Sequence, residues 1–122
     1  MTKNKPSNWI KVGRLGDIPA AGARVVRTPV GDIAVFRTTD DRIFALKDQC
    51  PHRGGPLSRG MIYGHRVSCP MHGLQIDLET GDAIAPDTGC TSRYRIKLEN
   101  DEVFLFLVAE KEPMVSLEVG AE

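Results

Sequence analysis

Cys50-Pro51-His52-Arg53-Gly54-Gly55-Pro56 and Cys69-Pro70-Met71-His72-Gly73 are two loops written to one pattern. Each offers a thiolate and an imidazole within three or four residues, and sixteen residues separate His52 from Cys69. Two Cys and two His in this order suit a [2Fe–2S] cluster, with both thiolates on one iron and both imidazoles on the other. The other metal reading is zinc. Structural zinc favours like ligands in pairs, C-x₂₋₄-C with H-x₃₋₅-H. Here each loop mixes the two ligand types, and Cys50-Pro51-His52 is tight for zinc. The spacing therefore favours iron–sulfur. A zinc-stabilised interaction module stays as the alternative from another class.

The charge arithmetic gives the ligand choice a consequence. Two ferric ions, two sulfides, two thiolates and two neutral imidazoles sum to roughly zero, about two charges above an all-thiolate cluster. A neutral centre takes up an electron more readily than a dianion. Candidate cofactor and metal ligands are thus Cys50, His52, Cys69 and His72, and the chemistry they imply is electron transfer. The glycines after each His let the backbone approach bridging sulfides, whose negative charge accepts N–H hydrogen bonds. Pro51 and Pro70 stiffen the loops. Asp82-Ala83-Ile84-Ala85-Pro86 is a candidate third loop shielding the cluster.

The rest of the chain sets bounds. One domain is expected from 122 residues. Sixteen basic and sixteen acidic residues give a formal net charge of zero, which argues against a nucleic-acid or membrane-surface protein. The apolar run Val103 to Ala109 is too short to span a bilayer, and Met1 to Asn8 lacks an apolar signal core. The expected location is cytoplasmic. Of three Cys, Cys90 is left over as a single thiol, consistent with a reducing compartment.

Short apolar and β-branched runs broken by Gly, Pro and Asp read as an all-β chain. Strands are expected at Trp9–Val12, Arg24–Arg27, Asp32–Thr38, Arg42–Leu46, Arg66–Cys69, Gln75–Asp77, Tyr94–Glu99 and Glu102–Val108. Hairpin turns are expected at Val30-Gly31-Asp32, at Thr39-Asp40-Asp41 and, most clearly, at Asn100-Asp101. A short helical turn is allowed after Leu15. The domain is placed at 1–110, with a cluster-binding part at about 47–88, and 111–122 reads as a weakly structured tail in which Met114, Val115 and Leu117 allow a last edge strand. His65 reads as an exposed turn residue and Cys90 as a small structural thiol. Trp9 and Phe36 read as core. Arg53 and Arg59 flank the first loop and are either solvated or offered to a partner.

With both loops in view, the chain resembles the Rieske [2Fe–2S] family from about Trp9 to Phe106. The resemblance implies an antiparallel β-sandwich carrying a small cluster-binding subdomain. It implies Cys50 and Cys69 on the buried iron and His52 and His72 on the outer iron. Within the family the chain is similar to the small subunits of assimilatory NAD(P)H-dependent nitrite reductases. The residues carrying this are Cys50 to Ser58, Gly64 to Gly73, Gln75 to Gly81 and Pro86-Asp87-Thr88-Gly89-Cys90. That likeness implies an oxidoreductase subunit in nitrate assimilation. Its partner would be a large subunit with sirohaem, an iron–sulfur cluster and flavin, reducing nitrite to ammonium. No acid–base constellation or nucleotide fingerprint is evident here, so no catalytic residue is assigned. The alternative is a free-standing Rieske ferredoxin feeding an aromatic-ring dioxygenase. Leu74 departs from the aromatic frequent in the nitrite reductase group. Gly55 and Met71 stand where quinol-oxidising Rieske proteins have a disulfide, and Leu74 and Ile76 stand where those have hydroxyls. Fewer donors to the cluster imply a potential near the low end of the Rieske range, roughly −150 mV.

Overall fold

The computed structural model describes residues 9–51, 55–70 and 74–111. Among them, nine strands form two antiparallel sheets. They are β1 (Trp9–Arg14), β2 (Gly22–Thr28), β3 (Gly31–Arg37), β4 (Ile43–Lys47), β5 (Met61–Tyr63), β6 (Arg66–Ser68), β7 (Gln75–Asp77), β8 (Arg93–Glu99) and β9 (Glu102–Lys111). The larger sheet runs β1-β9-β8-β4-β3-β2, and the smaller runs β5-β6-β7. This is the all-β, antiparallel architecture expected from the sequence.

Two-residue periodicity builds the larger sheet. On β9, Val103 and Leu105 are fully buried, and they alternate with Phe104 and Phe106, which stay partly exposed. Strand β3 breaks the alternation, because Ile33, Ala34, Val35 and Phe36 are all fully buried. Ile33 and Val35 join Ile18, Ala45, Tyr94, Val103 and Leu105 on one side. Ala34 and Phe36 join Leu46 on the other side, against Leu57, Val67, Ile76 and Leu78 of the smaller layer. A strand covered on both faces has no polar side to show, so its run Ile-Ala-Val-Phe is continuous.

The Asn100-Asp101 hairpin forms as expected. Both residues take positive φ, 51° and 69°, as a type I′ turn demands, and Glu99 pairs with Glu102. The β2–β3 turn sits one position earlier than expected: Thr28 pairs with Gly31, leaving Pro29 and Val30 as the loop. The Thr28 hydroxyl closes it by donating to the Gly31 carbonyl at 2.7 Å. Strand β9 runs on to Lys111, past the expected end at Val108. Strand β5 and the 3-10 turn at Leu57–Arg59 were not expected from the sequence. A 3-10 turn does follow Arg14, at Leu15–Asp17. Residues 112–122, with the suggested edge strand, lie outside the described residues.

Trp9 is not core. It pairs with Phe106, stacks on it at 4.9 Å between ring centroids, and lies with it on the outer face of the sheet. Phe36 is core, as expected. Among the described residues, no helix is long and apolar enough to cross a membrane.

Candidate metal centre

The first Cys loop leaves the larger sheet after β4, and the second follows β6 of the smaller sheet. The two close in the same way. The Cys50 N–H donates to the Gly55 carbonyl at 2.8 Å, and the Cys69 N–H donates to the Leu74 carbonyl at 2.7 Å. Each closure spans five residues, and the sequence puts His52 inside the first and His72 inside the second. Residues 52–54 and 71–73 lie outside the described residues, so His52, His72 and Arg53 do too. Among the described residues, accordingly, no three His, Cys, Asp or Glu side chains are placed to hold a metal ion.

Cys50 and Cys69 are each 1% exposed and share one apolar cluster with Leu57, Val67, Leu74 and Ile76. All three cysteines are free thiols, and Gly55 and Met71 supply no further thiol to either loop. Two buried thiols facing one dry cluster, each at the start of a closed loop, are a donor pair that fits a thiolate-ligated metal group. Buried thiols with no such use are ordinary core residues; the repeated closure and the imidazole inside each loop distinguish this pair. Cys90 is half-buried, bridged to Asp82, and outside that cluster.

Three supports hold the loops. Asp48, at the exit of β4, accepts the Ser58 N–H and hydroxyl at 2.7 and 2.9 Å, tying both ends of the first loop together. Gly60 follows the 3-10 turn, and a Cβ there would lie 2.0 Å from the Ser68 carbonyl oxygen. Only glycine lets the first loop's exit press against the strand that carries Cys69. The third support is the expected loop after Gly81. The Ile84 N–H donates to the Gln75 carbonyl and the Ala83 N–H to that of Gly89, each at 2.9 Å. Ala83 packs against the cysteine cluster, while Pro86 is exposed.

His65 is more than a turn residue. It does sit in the Gly64–His65 hairpin turn, but its Nδ1 is 2.9 Å from Glu79 and its Nε2 is 3.2 Å from Asp40. Its ring lies 5.3 Å from that of Phe44. One imidazole thus links the smaller sheet to the β3–β4 turn of the larger. The Glu79 carboxylate, then that of Asp40, raises its pKa above 6.5. The hydroxyl of Thr38, then His65, lowers that of Asp40. Arg59 is exposed beside the first loop. The sequence carried no local sign of the Asp48–Ser58 or His65 contacts, because the partners lie ten or more residues apart.

A profile of the Rieske [2Fe-2S] domain matches residues 8–110. This chain is a member of the Rieske [2Fe–2S] family. A Rieske domain binds one [2Fe–2S] cluster and transfers electrons, and the two-loop geometry belongs to that role. Among relatives, the ferredoxin component of the naphthalene 1,2-dioxygenase/salicylate 5-hydroxylase systems of a Ralstonia species is 32% identical over 99 residues, covering 80% of this chain and 94% of the relative. Among solved structures, the complex of reduced oxygenase and oxidised ferredoxin in carbazole 1,9a-dioxygenase contains a chain matched with a TM-score of 0.78 at 26% identity, covering 88% of this Rieske protein and all of that chain. A chain described as an NADH-dependent nitrite reductase small subunit from Mycobacterium tuberculosis matches with a TM-score of 0.75, over 83% of this chain and 96% of that one, and at 19% identity shares the fold alone.

Proposed function

We propose that this Rieske protein is a ferredoxin that delivers single electrons to an oxygenase of the aromatic-ring type. One observation carries the reading: its likeness to a ferredoxin component that it covers over 94% of that protein's length. The sequence alone ranks the nitrite reductase subunit first; the similarity to ferredoxins reverses that order. Cys50 and Cys69 would hold one iron and His52 and His72 the other, within a cluster-binding part at about 47–88 of a domain at 1–110. When bound, the cluster supplies a one-electron couple. The chain's own residues exclude water around the thiolates, through Leu57, Leu74 and Ile76, and fix the two loops through the Cys50–Gly55 and Cys69–Leu74 closures.

The test is reconstitution. The reduced protein, identified by its iron, sulfide and visible spectrum, is mixed with a ring-hydroxylating oxygenase. Reoxidation linked to substrate hydroxylation supports the ferredoxin. The second reading, a nitrite reductase small subunit, is favoured by Pro86 to Cys90. Stable co-purification with a sirohaem-containing large subunit, without turnover of any oxygenase, would establish it instead.

A further inference from the structure

The larger sheet ends in two edge strands, β1 and β2, and the two edges differ. Strand β1 is broken by a bulge between Lys11 and Gly13, and its Lys11 pairs with Glu102 at 3.0 Å. A bulge is one way in which an edge is closed to further strands. Strand β2 has none: its seven residues pair with β3 without interruption. Alternate residues of an antiparallel strand aim their N–H and C=O groups at opposite neighbours. Along β3 and just past it, Asp32 accepts the Asp48 N–H and the Thr38 N–H donates to Arg42, so the even-numbered positions bond toward β4. Gly31, Ile33 and Val35 therefore bond toward Thr28, Val26 and Arg24. The N–H and C=O groups of Ala23, Val25 and Arg27 are left pointing away from the sheet, and among the described residues they meet no hydrogen-bond partner.

We propose that this edge takes an added strand: an extended, antiparallel segment of a partner protein, with carboxylates opposite Arg24 and Arg27 and an apolar side chain opposite Val25. Backbone bonds to Ala23, Val25 and Arg27 supply the affinity, and the side chains choose the partner. Val25 is 41% exposed, and Val30 at the hairpin tip 44%. Arg24 and Arg27 are exposed, and neither forms an ion pair among the described residues. Asp32 lies opposite Arg27 without pairing with it. Asp17 lies beyond Arg24, but its carboxylate accepts the Arg14 N–H at 2.9 Å. The strand itself holds two cations and no anion. That charge selects an acidic segment over a second copy of this chain. Two β2 strands paired about Val25 would make their Arg24 side chains diagonal neighbours on one face, with no carboxylate between them. The seat adjoins the metal centre, since Ala23 packs against the buried cluster that holds Cys50 and Cys69. The proposal uses only the edge, so it holds for either redox reading.

The probe is a labelled peptide, Thr-Glu-Thr-Val-Glu-Thr, capped at both ends, whose glutamates fall opposite Arg27 and Arg24 when its valine meets Val25. Fluorescence anisotropy with the cluster-loaded full chain should show binding that weakens with salt, and a lysine-for-glutamate peptide should bind about ten-fold less tightly. Val25→Pro removes an outward N–H and no ladder bond to β3, and should weaken binding about five- to ten-fold. Arg27→Glu should weaken it about five-fold, and carries the test should Val25→Pro fail to fold. Bound peptide should slow amide exchange at Ala23, Val25 and Arg27, and leave Arg24 and Val26 unchanged. Absence of binding overturns the proposal, as does equal binding of the two peptides. So does protection of those amides that grows with protein concentration without peptide, since a second copy would then be the occupant.

Discussion

Asp48 grips Ser58 with both carboxylate oxygens: Oδ1 accepts the backbone N–H at 2.7 Å and Oδ2 accepts the hydroxyl at 2.9 Å. Asp48 precedes Cys50 and Ser58 follows the 3-10 turn, so this fork closes the neck of the first loop. Two hydrogen bonds to a charged acceptor contribute about 3–6 kcal/mol together. Asp48→Ala should lower stability by that order and reduce iron per chain; Ser58→Ala, which keeps the backbone donor, should cost about half as much. Thermal unfolding and iron assay check this, and wild-type values for Asp48→Ala would show that the fork is incidental.

The ligand assignment makes a sharper prediction. Cys50→Ser and Cys69→Ser should each lose the cluster, as should His52→Ala and His72→Ala. Cys90→Ser should retain it, because Cys90 lies outside the apolar cluster that holds the other two thiols. Iron and acid-labile sulfide per chain, with the visible spectrum, decide the matter. A Cys69→Ser protein with a full cluster would refute the assignment.

His65 predicts a pH window. Its folded pKa is raised above 6.5, chiefly by Glu79 and then by Asp40, so its contribution is fully present below pH 6.5 and is lost as pH rises through the folded value. Asp40 has its pKa lowered from 3.8, mainly by Thr38 and then by His65; its contribution is present above 3.8 and is lost as pH falls through the lower folded value. The link between the sheets is therefore strongest in mildly acidic solution. Replacing His65 with Gln should lower the melting temperature there, and the gap to wild type should narrow above neutrality. A gap that stays constant from acid to alkaline pH would assign His65 a packing role against Phe44 instead.

The expectation of a low potential rests on Leu74 and Ile76. Both are in the cluster with the cysteines, 5% and 0% exposed, so neither presents a hydroxyl to a sulfur. Leu74→Ser should raise the midpoint from roughly −150 mV by an amount on the order of tens of mV, since the donor it adds binds the reduced cluster more tightly. Ile76→Tyr would overpack a sealed site at about 1–3 kcal/mol, so Leu74 is the cleaner position. Voltammetry showing an unmoved or lower midpoint in an intact Leu74→Ser cluster would discard the donor explanation.

Gly60→Ala should be among the costliest single-methyl changes in the protein. The added Cβ would meet the Ser68 carbonyl oxygen at 2.0 Å, so either the first loop's exit or strand β6 must move. Overpacking of this kind costs about 1–3 kcal/mol. Chemical denaturation measures it; Gly16→Ala, with open space around the new methyl, is the matched control.

Much here was legible one residue at a time. The Rieske family could be read from the two Cys–His boxes because cluster chemistry demands particular residue types within three or four positions. The Asn100-Asp101 turn could be read because its backbone conformation selects those residues. The long strands could be read because a side chain's face repeats every two positions. Each of these is local chemistry. What only the tertiary structure decided joins residues far apart: His65 between Glu79 and Asp40, Asp48 on Ser58, Gly60 under Ser68. Trp9 looked like core from its composition alone. It lies on the outer face because strand register, which depends on the pairing of β1 with β9 across most of the chain, set the side to which its indole turns.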